Sequence, residues 1–206
     1  SFSGQLPYNF QKASILTYVI YLIARPVTQL YSTPEKSPIT SWAYSILGQI
    51  YVVLPLALLG VWGYKSDYQL FMNTEYLLMA LFVFVWTNDT GAYIVGCTLG
   101  KHRLFERISP KKSWEGFFGG LAFCIILASL ANYIIPGMLS TAQWIGMGIL
   151  TSIFSTWGDL CESLLKRTAG VKDSGKILPG HGGILDRFDS ELIASPVIFI
   201  YLTFVL

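Results

Sequence analysis

Long apolar stretches alternate with short polar segments along this chain. Windows of about 19 residues, the length used to detect transmembrane helices, give six apolar stretches: 13–30, 42–63, 76–96, 114–135, 142–160 and 191–206. About 20 helical residues cross the hydrocarbon core of a bilayer. The stretches 42–63 and 114–135 reach that length, whereas Arg25-Pro26 interrupts the first stretch and the last one is short. The pattern predicts an all-α membrane bundle with about six spans.

Composition supports the same class. Hydrophobic residues make up 53% of the 206 residues and charged residues only 13%, against about 25% charged in soluble proteins, and the mean hydropathy is +0.53. We expect residues 1–75 to form an N-terminal transmembrane region and 76–206 a catalytic transmembrane region. The chain opens with Ser1 and shows no signal-peptide pattern, so we expect it to be N-terminally incomplete. The spacing of its three cysteines indicates neither a disulfide framework nor a metal site.

The basic residues indicate the membrane topology. Ten of the fourteen Lys and Arg residues fall in two loops, 97–113 and 160–190, which two apolar stretches separate. Two spans return the chain to the same side, so both loops share one face, and the positive-inside rule makes that face cytoplasmic. Orientation, or contact with anionic lipid, would alone account for the number of cations. Because carboxylates and glycines are interleaved with the cations in the second loop, we favour a site there for a phosphate ligand and a metal ion.

The carboxylates of the second loop are candidate metal ligands. Six acidic residues lie between Asp159 and Glu191. Asp186 and Asp189 are three residues apart and share a face if the last helix begins a turn early. Asp159 would add an oxygen from another helix, as expected for Mg²⁺ that also binds substrate phosphates. Salt bridges, or charges at a helix N-terminus, are the alternative for Asp186 and Asp189, and Glu162 forms an ordinary helical pair with the lysine four residues on.

A glycine-rich turn precedes the acidic pair. Gly180, Gly182 and Gly183 permit backbone conformations that direct several N–H groups at one anion, and a simple tight turn fits the composition equally well. His181 is either a phosphate or metal ligand, or a hydrogen-bonded structural residue. The neighbouring cations predicted to hold phosphates are Lys166, Arg167, Lys172, Lys176 and Arg187, although solvated loop charges would explain one or two of them.

Polar residues also interrupt the third apolar stretch and lie just before the fourth. Asn88 and Asp89 lie in a lipid-like segment, where an ionisable residue indicates function or, alternatively, a broken helix. Lys111, Lys112 and Ser113 precede the fourth stretch, where a helix N-terminus and two lysines would hold an anion or simply start a helix.

One long motif and two shorter segments resemble the phosphatidate cytidylyltransferase family, whose members are also called CDP-diacylglycerol synthases. The long motif runs from Ser163 through Lys166-Arg167 and Lys172-Asp173 to Pro179-Gly180-His181-Gly182-Gly183 and Asp186-Arg187-Phe188-Asp189. The segments 88–93 and 109–116 are also similar to the family, so the resemblance covers roughly residues 80–206. Family members have additional N-terminal spans, and an apolar residue is more usual where Cys161 stands.

The resemblance implies an integral inner-membrane enzyme that makes CDP-diacylglycerol and pyrophosphate from CTP and phosphatidic acid at the cytoplasmic face. It implies Mg²⁺, a second cation such as K⁺ and a homodimer, and no nucleic-acid partner is predicted. We assign catalysis to Asp159, Asp186, Asp189, Lys166 and Arg167, and metal binding to these three aspartates with Asp89. The predicted substrate-binding residues are Asn88, Asp89, Lys111, Lys112, Ser113, Lys172, Lys176, Gly180, His181, Gly182, Gly183 and Arg187. A CTP-dependent polyprenol or phytol kinase and an ion transporter are the alternatives.

Overall fold

The computed structural model describes residues 8–31, 37–63, 74–175, 177 and 182–206. The chain divides into two compact units, Ser1–Glu75 and Tyr76–Leu206. Helices account for most of the described residues of both units, so the prediction of a mostly helical protein is confirmed.

Three α-helices lie within residues 8–31 and 37–63 of the first unit. Helix α1 is Tyr8–Tyr31, α2 is Pro38–Gly48, and a π-helical turn at Gln49–Val53 leads into α3, Leu54–Gly63. Arg25 of α1 donates hydrogen bonds to Ser45 Oγ at 3.1 Å and Ser41 Oγ at 3.2 Å. These two serines of α2 satisfy a charged group that would otherwise be costly beside apolar side chains.

The second unit contains the remaining elements. Helix α4, Thr74–Leu99, leads into a β-hairpin of β1, Arg103–Phe105, and β2, Ser109–Ser113. The helices that follow are α5 (Trp114–Ile134), α6 (Thr141–Thr168), α7 (Leu185–Phe188) and α8 (Glu191–Val205). The hairpin corrects the all-α prediction. Pro110 has no amide hydrogen and disfavours helical backbone at the residue before it, so this loop pairs as strands.

Three helices among the described residues are long and apolar enough to cross a membrane: Pro38–Gly60, Glu75–Leu99 and Trp114–Ile134. The predicted count of six spans is therefore not shown. Helix α6 is longer than any of these three, but polar and charged side chains reduce its hydropathy. Helix α8 is apolar but short.

Glycines allow α4 and α5 to pack closely. A Cβ atom added at Gly120 of α5 would lie 2.5 Å from Asn88 Oδ1 of α4, and one at Gly116 would lie 2.8 Å from the Ala92 carbonyl oxygen. Four residues after Gly120 on α5, Cys124 Sγ contacts the Phe84 carbonyl oxygen at 3.3 Å. Small residues in this spacing let two helix backbones approach each other, which brings the polar residues of α4 against α5.

Helix α8 packs antiparallel to α6 and ends beside the α6 N-terminus. The Tyr201 hydroxyl donates to the Gln143 carbonyl at 2.9 Å, and Gln143 Nε2 donates to the Val205 carbonyl at 3.3 Å. At the other end, a Cβ atom at Gly158 would lie 2.7 Å from the Asp189 carbonyl oxygen. This contact holds the start of α8, and the acidic residues before it, against α6.

Candidate functional site

A cavity of about 280 Å³ lies between α4, the hairpin, α5 and α6. Polar side chains form one part of its wall and apolar ones another. Its lining residues are Asn88, Asp89, Ala92, Tyr93, Gly96, Leu104, Lys111, Lys112, Ser113, Gly116, Phe117, Thr156 and Asp159. The structure thus brings together predicted site residues from three separate parts of the sequence. Concave sites with a few converging polar groups are the usual form of a ligand site.

An ion pair joins the hairpin to α6 within this wall. Lys112 Nζ lies 2.5 Å from Asp159 Oδ2, and the two side chains are 27% and 31% exposed. The next residue, Ser113, is buried and accepts a hydrogen bond from Gly116 N at 3.1 Å, which caps the N-terminus of α5. The cap fixes where the strand ends and the helix begins, and it therefore helps to direct Lys112 towards α6.

Three aspartates from different elements form an acidic group at the cavity. Asp89 lies on α4, Asp159 on α6 and Asp189 just before α8, and each lies within electrostatic range of the other two. Burial raises the pKa of Asp189, and the neighbouring Asp159 carboxylate raises it further. Within the described residues, no three His, Cys, Asp or Glu side chains are placed closely enough to hold a metal ion. The predicted metal role of these aspartates stays a prediction.

The buried Asn88 amide connects α4 to α6 beside the acidic group. Its Oδ1 accepts a hydrogen bond from Ser152 Oγ at 2.6 Å. Its Nδ2 donates to Ser155 Oγ at 3.2 Å and to Thr156 Oγ1 at 3.3 Å. Because the amide is 1% exposed and fully engaged, its contacts fix the position of Asp89, the next residue, relative to α6.

A second polar cluster surrounds Asp186. Lys166 Nζ donates to Asp186 Oδ1 at 2.9 Å and lies 2.5 Å from Glu162 Oε2, so one lysine bridges two carboxylates. Asp186 Oδ2 also accepts hydrogen bonds from Ser174 N at 2.9 Å, Ser174 Oγ at 3.0 Å and Gly183 N at 2.7 Å. Burial raises the pKa of Asp186, but these hydrogen bonds outweigh that effect and hold its pKa well below its usual range.

The two clusters adjoin at Asp189. Its carboxylate interacts electrostatically with both Lys112 and Lys166, although Lys166 is not part of the cavity wall. The sequence predicted Asp89, Asp159, Asp186 and Asp189 as one metal-binding set. The structure instead groups Asp159 and Asp189 with Asp89, and directs Asp186 to Lys166, Ser174 and Gly183.

The remaining predicted residues lie around these clusters. Lys111 is exposed at the cavity, and Arg167, Lys172 and Arg187 are also exposed. The Arg167 guanidinium donates to the Val171 carbonyl at 3.4 Å, just beyond the C-terminus of α6. Gly182 adopts a φ of 81°, which is a conformation that favours glycine. The predictions for Lys176, Gly180 and His181 lie outside the described residues.

Sequence reasoning missed the residue that fixes the base of the hairpin. Glu115 accepts hydrogen bonds from the backbone amides of Lys101 at 3.1 Å and His102 at 3.2 Å, and lies 2.6 Å from His102 Nδ1. The only signal in the sequence was an acidic residue in the first turn of α5. Ser174 was also missed, because nothing in its sequence context indicates a partner twelve residues away.

Comparisons of the sequence with known proteins find similar chains. A sequence model described as the cytidylyltransferase family matches residues 3–205. A phosphatidate cytidylyltransferase of Staphylococcus aureus (strain COL) is 41% identical over 160 residues, covering 77% of this chain and 61% of that protein. One from Staphylococcus haemolyticus (strain JCSC1435) is 41% identical over 200 residues, covering 97% of this chain and 72% of that protein. The chain therefore spans about three fifths of the length of the first of these relatives.

Proposed function

Because the chain belongs to the cytidylyltransferase family, we propose that it transfers the cytidylyl group of CTP to phosphatidic acid, forming CDP-diacylglycerol and releasing pyrophosphate. The observation that carries the proposal is the cavity of about 280 Å³, where Lys111 and Lys112 meet the carboxylates of Asp89 and Asp159. The cavity contacts the ends of two candidate membrane spans, so an amphiphilic lipid and a water-soluble nucleotide can both reach it. The curated relatives bear the name of the same activity.

The chemistry requires alignment and charge neutralisation more than a general base. The phosphate monoester of phosphatidic acid is an anionic nucleophile at neutral pH, so no side chain has to deprotonate it. Its oxygen attacks the α-phosphorus of CTP, a new P–O bond forms, and the bond to the β-phosphate oxygen breaks. Pyrophosphate leaves with the bonding electron pair. Positioning and electrostatic stabilisation then account for the catalysis, as in other phosphoryl-type transfers.

The acidic group has the charge and the oxygen ligands for a divalent cation, but in the described arrangement its carboxylates are not close enough together to hold one. Asp89, Asp159 and Asp189 come from three elements and are close enough to repel one another, and carboxylate oxygens are the ligands that Mg²⁺ prefers. These three residues would hold the ion once their side chains move closer to one another. Bound Mg²⁺ would supply Lewis-acid stabilisation of the phosphate oxygens. A second cation such as K⁺ belongs to the same proposal.

The cations of the site bind and orient the phosphates. Lys111 is exposed at the cavity, and its ammonium group binds the triphosphate of CTP. Lys112 is held by Asp159 at 2.5 Å, so it neutralises one carboxylate and orients it. Lys166 has a different task in this proposal, because Glu162 and Asp186 hold it outside the cavity wall. It positions α7, and with α7 the neighbouring Asp189.

The same proposal includes two further membrane spans, α6 and α8. Helix α6 contains 28 residues, which is about 42 Å of helix, and its polar residues Thr151, Ser152, Ser155 and Thr156 are buried within the protein. Lipid would therefore not contact them. We place α6 and α8 across the bilayer with α4 and α5, and the cavity on the cytoplasmic side, where both basic loops lie. The homodimer stays a prediction.

The experiment is a product assay on the purified protein in detergent or nanodiscs. With CTP, phosphatidic acid and Mg²⁺, we expect CDP-diacylglycerol and pyrophosphate in equal amounts. Asp159→Asn should abolish turnover, because it removes both a carboxylate and the partner of Lys112. Absence of product from a folded wild-type protein at saturating substrates would contradict the proposal.

A further inference from the structure

The β-hairpin carries exposed cations and an exposed aromatic ring that are not part of the cavity wall. We call Arg103, Phe105 and Arg107 the basic edge. Both arginines are exposed and Phe105 is 49% exposed. Across the described part of the chain, neither guanidinium forms a salt bridge. Lys112 of the same hairpin, in contrast, is paired with Asp159.

The hairpin presents this edge in a defined geometry. Glu115 accepts hydrogen bonds from the two amides before β1, at 3.1 and 3.2 Å. Trp114 N donates to the His102 carbonyl at 2.9 Å, and Ile108 N closes the turn by donating to the Phe105 carbonyl at 3.2 Å. Because Glu115 and Trp114 begin α5, the hairpin is attached to the helix at its base. Its exposed cations therefore keep their spacing.

The position of the hairpin brings the basic edge to the bilayer surface. It connects the candidate spans Glu75–Leu99 and Trp114–Ile134, so it must lie at one membrane face. Trp114 stacks on Phe118 with ring centroids 6.2 Å apart, and such aromatic residues are enriched at membrane interfaces. The segment 101–112 contains five Lys and Arg residues against one acidic residue, Glu106. This charge complements an anionic leaflet.

We propose that the basic edge binds the anionic head groups of the bilayer that α4 and α5 cross. Phe105 enters the interface, and Arg103 and Arg107 bind lipid phosphates, for which the planar guanidinium is well suited. Leu104 and Lys111 of the same hairpin line the cavity. If the proposed function holds, lipids gathered at the basic edge include phosphatidic acid next to the site that consumes it.

Hydrogen exchange of the full chain in nanodiscs tests the binding without relying on activity. Discs of phosphatidylcholine alone are compared with discs that also contain phosphatidylglycerol, which is anionic but not the proposed substrate. We expect the hairpin amides to be more protected in anionic discs. Each arginine removed should weaken the effect about fivefold, so Arg103→Gln/Arg107→Gln should lose nearly all of it. Arg103→Lys/Arg107→Lys should retain most of it, and Glu106→Gln should strengthen it.

Several results would overturn the proposal. One is equal exchange of the wild-type hairpin in neutral and anionic discs. Another is protection in neutral discs on adding CTP or inorganic phosphate, which would assign the basic edge to free phosphates. If Arg103→Gln/Arg107→Gln does not fold, Phe105→Ser and the lysine pair provide the comparison, and full protection in Phe105→Ser would refute insertion of the ring.

An activity measurement connects the basic edge to the proposed reaction. In discs whose only anionic lipid is phosphatidic acid, Arg103→Gln/Arg107→Gln should raise the mole fraction of phosphatidic acid needed for half-maximal rate several-fold, while kcat and the KM for CTP stay unchanged. A fall in kcat with no change in lipid dependence would contradict a role in gathering lipid. A wild-type protein that shows anionic protection but no cytidylyl transfer would refute the proposed function alone.

Discussion

The carboxylate of Asp186 connects α7 to the backbone amides of Ser174 and Gly183 and to the Lys166 side chain, and Asp186→Asn tests this directly. The wild-type side chain is 8% exposed and accepts hydrogen bonds from Lys166, Ser174 and Gly183. Asparagine has one acceptor oxygen. In its better orientation that oxygen faces Ser174 and Gly183, and the new amide faces the Lys166 ammonium. Lys166 then keeps only Glu162 as its partner.

The cost follows from the loss of charge. Hydrogen bonds to a charged acceptor contribute about 1.5–3 kcal/mol each and neutral ones about 0.5–1.5 kcal/mol. Three weakened bonds and one lost bond, which are not additive, give about 2–4 kcal/mol. If the segment opens locally, this corresponds to about 30- to 700-fold less exchange protection. The lowered pKa of Asp186 means that its contribution is complete at neutral pH and is lost as the pH falls through that lowered value.

Hydrogen exchange without added metal is the assay. Peptides that contain Ser174 and Gly183 should lose protection in Asp186→Asn. They should keep it in the control Asp189→Asn, because the wild-type Asp189 Oδ1 accepts its hydrogen bond from Ser190 N and not from these two residues. Both variants should lose activity. Unchanged protection of these peptides in Asp186→Asn would refute the structural role, and would favour direct participation of Asp186 in metal binding.

Four further outcomes are expected. Lys112→Gln should lower kcat by at least about tenfold, because unpaired carboxylates then repel, while the neighbouring Lys111→Gln should mainly raise the KM for CTP. Asn88→Ala should lower the unfolding free energy by about 2 kcal/mol, at roughly 0.6 kcal/mol per hydrogen bond within a membrane, as measured by unfolding in mixed micelles. Gly120→Ala should destabilise by about 1–3 kcal/mol because its Cβ would lie 2.5 Å from Asn88 Oδ1, whereas Gly60→Ala, with nothing within 4 Å, should not. Chelation with EDTA should abolish turnover, and Mg²⁺ should restore it.

The helical elements were predictable because long apolar stretches mark them. The stretches 76–96 and 114–135 coincide with the candidate spans Glu75–Leu99 and Trp114–Ile134. The hairpin was not predicted, because its strands are short, polar and stabilised by Glu115, which lies outside them. The count of spans also exceeded what the structure shows. Helix α6 falls short of the hydropathy expected of a span because it carries buried polar residues, and α8 falls short in length.

The candidate site was predictable in its residue types but not in its grouping. Asp89, Lys112 and Asp159 are predicted site residues, and the structure brings all three to one cavity. The assignment of Asp186 and Asp189 to one cluster rested on their spacing in the sequence. Three-residue spacing places two side chains on one face only in a continuous helix. Here α7 ends at Phe188 and α8 begins at Glu191, so Asp186 and Asp189 contact different groups.

The fate of each phosphate of CTP tests the central claim most directly. Purified protein is given phosphatidic acid, Mg²⁺ and CTP labelled either at the α- or at the γ-phosphorus. Our account predicts that the α label enters the lipid product and that the γ label appears in pyrophosphate. Transfer of the γ label to a lipid would identify a CTP-dependent kinase instead, and would contradict attack at the α-phosphorus in this cavity.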